Sequence, residues 1–519
     1  MGVGKPSGKL SAAAHRGHTR LMSRIATRLA WAVAAVCLTL VTSLQSQTPP
    51  PVAITGATLI DGNGGPPVPN AIVLIEGDRI RYAGARSGVN LSPGMTVIDA
   101  AGKFITPGLV DTNVHLSLYG GVGERYETLA KYHSRQPEIV LEAAQLQLKH
   151  GVTTVRDSYG LLVPLVAVRD RIQRGEAIGS RILAAGNIAG WGGPYSVSFS
   201  LIREQGLTLF QEQMNDAVSQ GAGEDLVDMD PEELRTAIRA YLDKGPDFIK
   251  YGGTAHFTRP AFIGFSAEAQ KVIVEEAHAR NKVAETHATT VDGLRLSVLA
   301  GVDLIQHPEM LGSREMPDSL VQMIVDRKIV CSMLSNTITG DAWKKAMKDR
   351  DEAIAKRTEA ERNQKLQRAR TGAEMRRRAV EEAVELQMRR RNAEKLIKAG
   401  AVVTIGTDNY WAAAPEFTRG GTKPDAQNHG IGSIIAIEGL VELGMTPAQA
   451  IVAATRNGAI ASRGLHHFGT IQAGKLADLL ILDADPLRDI ANLRTLRTVM
   501  RHGTIIDRDS LPAVRVLSR

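Results

Sequence analysis

The sequence predicts an α/β fold, a (β/α)8 TIM barrel joined to a small composite β-sandwich domain formed by the N- and C-terminal segments. Three observations predict it: eight short β-branched runs that alternate with helical stretches, strand-rich segments on both sides of them, and polar residues that end five of the runs. The chain has 519 residues, of which 43% are hydrophobic and 23% charged. This composition is that of a globular protein and excludes a disordered or purely membrane-embedded chain.

Residues 1–47 are predicted to be a secretory signal peptide. They contain six Lys or Arg and no Asp or Glu, and without them the net charge falls from +7 to +1, so the charge gives no reason to expect nucleic-acid binding. Their apolar run, residues 29–41, is shorter than the ~20 residues of a membrane-spanning helix. We therefore expect a secreted or periplasmic protein with no membrane span after processing. The alternative is an uncleaved segment that anchors the protein to a membrane.

Two segments, 48–106 and 461–519, are predicted to form the small β domain. They are rich in Val, Ile, Gly and Asp, and the first contains turn signals such as Asp61-Gly62, Asn63-Gly64 and Glu76-Gly77. Two strand-rich segments that flank a barrel most economically pair with each other. Only Cys331 lies outside the signal peptide, so no intrachain disulfide is expected.

Residues 107–460 are predicted to form the barrel. Short apolar runs that alternate with helices indicate parallel strands buried on both faces and joined by right-handed crossovers. Asp230-Pro231 and Thr446-Pro447 are typical helix starts, with helix ends near Gly245 and Gly458, and Ser266 caps another helix. The eight predicted strand runs are 108–115, 151–157, 181–187, 247–253, 283–288, 304–309, 329–334 and 402–408.

A basic helical segment, residues 342–399, interrupts this pattern. Between residues 344 and 398 there are 18 Lys or Arg against 10 Asp or Glu, with few apolar residues. We expect Gly372 to divide the segment into an extra helix and the helix that leads to the last strand. The segment is either a solvated extension of the barrel or a surface or lid for acidic partners.

Five polar residues fall at strand ends, where the reactive groups of parallel barrels lie. One His or Lys in such a place is uninformative, because it can be a hydrogen-bonded core residue. Together the five supply imidazole, carboxylate and amine groups at one mouth, which matches the needs of a divalent metal such as Zn²⁺. They are His115, Lys250, His287, His307 and Asp408. The residues His133, His150, His278, His429, His466 and His467 are expected to lie at the surface.

With these residues in place, the chain resembles the metal-dependent amidohydrolase superfamily over nearly all of residues 52–510. Within it, the chain is most similar to the imidazolonepropionase-like and prolidase-like (Xaa-Pro dipeptidase-like) branch. The stretches that carry the resemblance are ITPGLVDTNVH (105–115), GVTTVRD (151–157), DFIKYGG (247–253), AGVDLIQHP (300–308), GTD (406–408) and GTIQAGKLADLLILDADP (469–486).

The resemblance implies a role for each residue of the site. Lys250 would be an N6-carboxylysine that bridges two divalent metals, most simply Zn²⁺, and His287 and His307 would hold the second metal. Asp408 would be both a metal ligand and the catalytic proton shuttle. His115 would be a ligand of the first metal.

Asn113 departs from the family pattern, in which the first strand ends in His-x-His. Here the strand reads Asn113-Val114-His115. An amide oxygen is a poorer Zn²⁺ ligand than imidazole, so the first metal should bind weakly or Asn113 should not be a ligand at all. A binuclear site with one labile metal, a mononuclear site and a catalytically lapsed enzyme all remain open.

Aromatic and basic residues in two loops after strands are candidates for substrate binding. Aromatic residues make up only 4% of the chain, so their clustering there favours a substrate with an apolar part, and the cations could hold its carboxylate. Alternatively, the aromatic residues pack the loops themselves. The candidates are Trp191, Tyr195, Phe199 and Phe210 in one loop and Tyr410, Trp411, Arg419 and Lys423 in the other.

The sequence thus predicts an exported metal-dependent hydrolase that cleaves the C–N bond of a small dipeptide-like or N-acyl amino acid substrate. A hydrolase of cyclic amides of the imidazolone type is the second enzyme hypothesis. A binding protein that has lost its catalytic metal through Asn113 is the alternative from another class. A homo-oligomer is compatible with the sequence, and the expected partner is a small molecule.

Overall fold

Three β-sheets organise the part of the chain that the structure describes. This computed structural model describes residues 50–117, 125–200, 206–256, 261–362, 370–410 and 425–518, apart from three isolated residues at the start of the chain. The predicted signal peptide and the substrate candidates Trp411, Arg419 and Lys423 lie outside these residues. Residues 51–519 form one compact unit. Within the described residues, no helix is both long and apolar enough to cross a membrane.

The strands, numbered along the chain, are β1 (Val52–Leu59), β2 (Val68–Glu76), β3 (Arg79–Ala85), β4 (Thr96–Asp99), β5 (Phe104–Pro107), β6 (Leu109–Val114), β7 (Val152–Asp157), β8 (Arg181–Ala184), β9 (Ile188–Ala189), β10 (Ile249–Gly252), β11 (Ala284–His287), β12 (Leu304–Gln306), β13 (Val330–Met333), β14 (Val402–Ile405), β15 (Leu479–Leu482), β16 (Leu496–Arg501) and β17 (Thr504–Ile505).

The α-helices are α1 (Arg125–Tyr132), α2 (Gln136–Lys149), α3 (Leu162–Gln173), α4 (Val197–Ser200), α5 (Leu209–Ser219), α6 (Pro231–Leu242), α7 (Ala267–Ala279), α8 (Val291–Ala300), α9 (Asp318–Asp326), α10 (Gly340–Arg362), α11 (Arg370–Lys398), α12 (Ile431–Glu442), α13 (Pro447–Val452) and α14 (Gly458–Ala461).

Strands from both flanking segments share one eight-stranded sheet. Its order is β17-β16-β15-β5-β1-β2-β3, and β4 pairs with β1. β15 extends the sheet by antiparallel hydrogen bonds to β5, with Leu480 opposite Thr106. The second segment also reaches the other end of the strand order, where Leu476 bridges to Arg79 of β3, so the described strands of the two segments share one hydrogen-bonded sheet.

The eight predicted barrel runs all contain strands. They form two parallel sheets, β6-β7-β8 and β14-β13-β12-β11-β10-β9, and a bridge between Val114 and Asn409 links the first strand to the residues after the last. This is the strand order of a TIM-type α/β fold, although the described hydrogen-bond ladders do not make a continuous ring. The strands are buried on both faces, as all-parallel sheets are.

The third strand of the barrel is divided into β8 and β9. Tyr241 occupies the break, where its hydroxyl donates to the Ala185 carbonyl at 2.6 Å and accepts from the Asn187 amide at 2.8 Å. Gly186 lies between them with φ +76°, and a Cβ there would be 2.4 Å from the Tyr241 hydroxyl. At this break the two sheets are connected by the buried Tyr241 side chain instead of by backbone hydrogen bonds between strands.

The helix boundaries follow the capping signals in most places. Asp230 and Thr446 form capping boxes with a Pro at the start of the helix, and Ser266 accepts from the Ala269 amide. The helix that begins at Thr446 passes through a π-helical turn and ends at Ala461 rather than at Gly458. Gly372 lies inside α11 and does not divide the basic segment, because α11 already begins at Arg370.

Candidate active site

Four of the five predicted site residues lie at or just after the carboxyl ends of strands, whereas Lys250, which was also predicted at a strand end, lies inside its strand. His115 follows β6, Lys250 lies within β10, His287 ends β11, His307 follows β12 and Asp408 comes three residues after β14. The three histidines and Lys250 are at most 6% exposed, so all four lie inside the mouth rather than on its rim. Asp408 is the most open of the set, with 27% of its side chain exposed.

Asp408 is held by Asn113 and His115. Its Oδ1 accepts from Asn113 Nδ2 at 2.8 Å and lies 2.9 Å from His115 Nε2. A carboxylate only accepts hydrogen bonds, so Asn113 must turn its nitrogen toward the site, and its buried Oδ1 has no hydrogen-bond partner in the described residues. The hydrogen bond with His115 and the positive charges of His115 and Lys250 lower the pKa of Asp408 despite its burial, so Asp408 is ionised.

The hydrogen bonds of His115 define what its second nitrogen can do. Nδ1 is 3.0 Å from the Tyr159 carbonyl oxygen, which can only accept, so Nδ1 carries a proton. Nε2 faces Asp408, a second acceptor. Nε2 therefore either donates a hydrogen bond to Asp408 or binds a metal ion together with this carboxylate.

His287 and His307 form the second group. His287 Nδ1 lies 3.0 Å from His307 Nε2, and the buried nitrogens His287 Nε2 and His307 Nδ1 have no hydrogen-bond partner in the described residues. Burial lowers the pKa of both rings, that of His307 to about 3, so both are neutral. His307 also has a left-handed backbone, φ 39°, a conformation that is often strained and often found at functional sites.

Lys250 is 2% exposed and makes no hydrogen bond or ion pair with any described residue. Burial lowers its pKa, against the opposing charges of Glu285, Asp408 and Asp157. Glu285 is already paired with the buried Arg156 at 2.6 Å, so it does not neutralise the lysine by contact. A buried amine with a lowered pKa and no partner is poised for modification or for a ligand.

These residues fit a divalent metal in their chemistry. Metal ligands must be deprotonated, and the neutral His287 and His307 and the ionised Asp408 meet that condition. Two nitrogens on one tetrahedral Zn²⁺ are about 3.3 Å apart, given bonds of ~2.0–2.1 Å, and the ring nitrogens of His287 and His307 are 3.0 Å apart. Within the described residues no three His, Cys, Asp or Glu side chains already meet at one point, because Asp408 is engaged by His115 while the other two histidines pair with each other.

Two further residues belong to the same mouth and were not predicted. Asp157 ends β7 and is fully buried; its Oδ2 accepts from the Leu116 amide at 2.6 Å, and burial raises its pKa to about 7. It follows a strand in the same way as His287, so the rule that found the other residues could have found it. His429, expected at the surface, is instead buried at 7% exposure and lines a small cavity with His115 and Tyr410. It follows no strand, so strand periodicity gave no signal for it.

Some of the aromatic residues predicted to bind substrate pack against one another, and Trp191 also borders the site. Trp191 and Tyr195 are buried, at 2% and 3% exposure, in a cluster with Tyr159 and Phe199. Trp191 donates from Nε1 to the Thr254 carbonyl at 2.9 Å, and its ring lies edge-on 4.8 Å from that of His287. Trp191 therefore forms a wall against the metal-ligand candidates, while Tyr410 is half-buried at the edge of the cluster.

A segment far along the chain completes this wall. Glu142 in α2 accepts from the amides of Val516, Leu517 and Ser518 at 3.1, 2.8 and 2.9 Å, and also from the Ser518 hydroxyl. Val516 and Leu517 are buried in the aromatic cluster, and Leu517 lines the small cavity with His115. No local pattern predicts this contact, because Glu142 has the spacing of an ordinary helix-surface residue.

Comparison with known proteins agrees with this geometry. The amidohydrolase family model matches residues 104–506. The ochratoxinase of Aspergillus niger is 25% identical over 457 residues, which is 85% of this chain and 82% of that protein. The imidazolonepropionase of Anaeromyxobacter sp. (strain K) is 23% identical over 491 residues, 87% of this chain and 93% of that protein.

Two solved structures are similar at 31% identity. Molinate hydrolase superimposes with a TM-score of 0.79 and covers 91% of this chain and 97% of its own; phenylurea hydrolase B superimposes with 0.78 and covers 90% and 99%. A Xaa-Pro dipeptidase, at 21% identity and a TM-score of 0.63, covers 88% and 99% and shares the fold. The chain therefore belongs to the amidohydrolase family, and its relatives fit the imidazolonepropionase-like and prolidase-like branch.

Proposed function

We propose that this amidohydrolase-family hydrolase of carbon–nitrogen bonds is an exported, metal-dependent enzyme that cleaves an amide bond in a small dipeptide-like or N-acyl amino acid substrate. The observation that carries the proposal is the meeting of His115, His287, His307, Lys250 and Asp408 at one mouth, with two neutral imidazoles that have unpartnered nitrogens. In this proposal the two parallel sheets together form the wall of one (β/α)8 barrel.

An aromatic or other apolar group in the substrate is favoured by the wall of the mouth. Trp191 and the cluster behind it place apolar surface beside His287. The name of phenylurea hydrolase B indicates that one similar protein acts on compounds with an aromatic ring. The cyclic-amide alternative has a relative of its own in the imidazolonepropionases.

Asp408 is the residue that we assign to proton transfer. A bound Zn²⁺ ion would supply Lewis-acid activation of a water molecule and of the substrate carbonyl. Asp408, the most open charged group of the site, accepts the proton of the attacking water and delivers it to the leaving nitrogen, because an amide C–N bond breaks readily only when that nitrogen is protonated. Asn113 and His115 keep Oδ1 of Asp408 in place.

His287, His307 and Lys250 would hold the tighter metal. A neutral lysine amine reacts with CO2 to form a carbamate, and burial without a partner favours the neutral form of Lys250. The N6-carboxylysine would replace this amine with an anionic ligand. On the opposite side, Asn113 turns its nitrogen toward Asp408, and an amide nitrogen is not a ligand, which favours one tight metal rather than two.

The experiment that tests the proposal compares two histidines of the chain. His287→Gln should lose both bound metal and hydrolysis of a panel of N-acyl amino acids, dipeptides, phenylureas and cyclic amides. The control is His278→Gln, because His278 lies on α7 at the surface, where it pairs with Asp303, and should keep both. Metal content is measured by elemental analysis after dialysis.

Two outcomes would count against the enzyme hypothesis. Wild-type protein that holds no metal and hydrolyses nothing in the panel would support the binding-protein alternative. A His287→Gln protein that keeps full metal and activity would show that the metal site lies elsewhere in the chain.

Lys250→Ala should lose metal and activity together, with partial rescue by short carboxylic acids if the carbamate is the ligand. Export is tested separately, by the N-terminal residue of the mature protein.

A further inference from the structure

A second cavity lies at the opposite end of the barrel from the candidate active site. It has a volume of about 410 Å³ and is bounded by the barrel and the eight-stranded sheet. Arg181, the first residue of β8, and Asp247, which precedes β10, both line it, so it lies at the amino ends of the parallel strands. Five arginines contribute to its lining, and we call it the arginine cavity: Arg79, Arg169, Arg181, Arg463 and Arg501.

Four of these arginines have carboxylate partners. The nearest N–O distances are 3.8 Å for Arg79 and Asp78, 2.9 Å for Arg169 and Asp247, 2.9 Å for Arg181 and Asp478, and 3.4 Å for Arg463 and Asp303. Each of these positive charges is therefore matched inside the protein.

Arg501 is the exception. It ends β16, is 8% exposed, and makes no hydrogen bond or ion pair with any described side chain; its Nε is buried without a partner. Asp478 is close enough to act on its charge, but that carboxylate is already engaged by Arg181 and by the His502 amide at 2.8 Å. Burial lowers the pKa of Arg501 to about 10, so it is still a cation at neutral pH. A buried cation with no carboxylate in contact is unfavourable.

Apart from Asp247, which is paired with Arg169, the remaining lining is apolar or uncharged. The Arg181 guanidinium lies over the Phe468 ring, 4.7 Å from its centroid, and Ile182 and Leu476 also line the cavity. His502 Nε2 lies 2.7 Å from Arg181 Nη2, and burial lowers the pKa of His502, so this ring accepts that hydrogen bond in its neutral form. A ligand of this cavity would need one anionic group for Arg501 and could place an apolar body against Phe468.

We propose that the arginine cavity binds a small organic anion with a phosphate or carboxylate group, held by the Arg501 guanidinium. Guanidinium groups form paired hydrogen bonds with both kinds of oxyanion, so the shared chemistry is that of an oxyanion on an apolar or aromatic body. The site is separate from the hydrolytic mouth and needs no metal.

The test is a calorimetric titration of the full chain at constant ionic strength with phenyl phosphate, benzoate and inorganic phosphate, and with phenol as the uncharged comparison. We expect saturable binding of phenyl phosphate or benzoate and none of phenol. Stronger binding of phenyl phosphate identifies a phosphate ester as the ligand class, and stronger binding of benzoate a carboxylate. Arg501→Gln should weaken binding at least tenfold.

The matched control is Arg497→Gln. Arg497 lies on the same strand, but 60% of its side chain is exposed and its ion pair is with Asp483, so binding should stay unchanged. Arg501→Gln removes an unmatched buried charge, so the variant should be at least as heat-stable as the wild type in the absence of anions. No saturable binding by the wild type, or equal binding by Arg501→Gln, would overturn the proposal.

Discussion

Replacement of Asn113 by His should give the candidate site a second tight metal. In the wild type, Asn113 directs its Nδ2, which is not a ligand atom, to Asp408. Imidazole would add a strong donor two residues before His115, on the same face of β6. We expect the purified wild type to retain one metal per chain after dialysis and Asn113→His to retain close to two.

The structure also gives the cost of this replacement. Asn113 is fully buried and close to Gly406, where an added Cβ would lie 2.9 Å from the Cβ of Asn113. Overpacking a filled core costs about 1–3 kcal/mol, and a hydrogen bond to a charged group contributes about 1.5–3 kcal/mol. The free energy of unfolding of the metal-free variant should therefore fall by about 3 kcal/mol or more. A metal at about one hundred times its dissociation constant returns about 2.7 kcal/mol.

The assay is urea unfolding with and without a chelator, together with metal analysis. Asn113→Ala is the control, because it also loses the hydrogen bond to Asp408 but adds no ligand. Added metal should raise the free energy of unfolding of Asn113→His toward the wild-type value. It should not restore the free energy of unfolding that Asn113→Ala has lost. If the two variants respond equally to metal, or if the wild type itself holds two metals equally tightly, the assignment of Asn113 as a non-ligand is refuted.

Asp408→Asn should lower turnover by at least ~10², the low end for a positioned proton shuttle, while part of the metal is retained; wild-type turnover would remove Asp408 from the mechanism. Glu276, whose pKa is lowered to about 2 mainly by a hydrogen bond from Arg239, should stabilise the fold above about pH 4.5. This contribution is on the order of 2 kcal/mol, because solvent around Arg239 screens the pair, and it should be lost as the pH falls toward 2. In Glu276→Gln the free energy of unfolding should therefore depend less steeply on pH in this range. Glu285→Leu should cost about 3–5 kcal/mol in urea unfolding because it leaves the buried Arg156 unpaired, and Arg156→Leu in the same chain should recover much of that loss. A double variant no more stable than Glu285→Leu would contradict this account of the pair.

Much of the site could be predicted because strand geometry constrains it. Short apolar runs fix where parallel strands end, and residues at those ends must share one mouth, which is how His115, His287 and Asp408 were found. The same rule, applied to the run that ends at Asp157, would have added that residue.

Other features depend on contacts that no local pattern encodes. His429 does not follow a strand, and it is buried and lines a small cavity together with residues of α2. Glu142 has the spacing of a solvated helix residue, and its role arises only when Leu517 and its neighbours reach it. The composition and turn signals of the flanking segments predicted strands, but they could not show which strands of the two segments pair, such as β5 with β15.

The pairing of β5 with β15 also affects the order in which the chain can fold. Pro107 is opposite Leu479, 372 residues later, so one edge of β5 has no partner until almost the whole chain has been made. At about 5–20 residues per second this wait lasts roughly 20–75 s during synthesis. Contacts of such long sequence separation form slowly, and an open strand edge can pair with another chain in the meantime. A chaperone that covers the early strands should therefore raise the yield of folded protein, mainly because it protects this sheet. The barrel needs less protection, because its strands mostly pair with near neighbours in the chain.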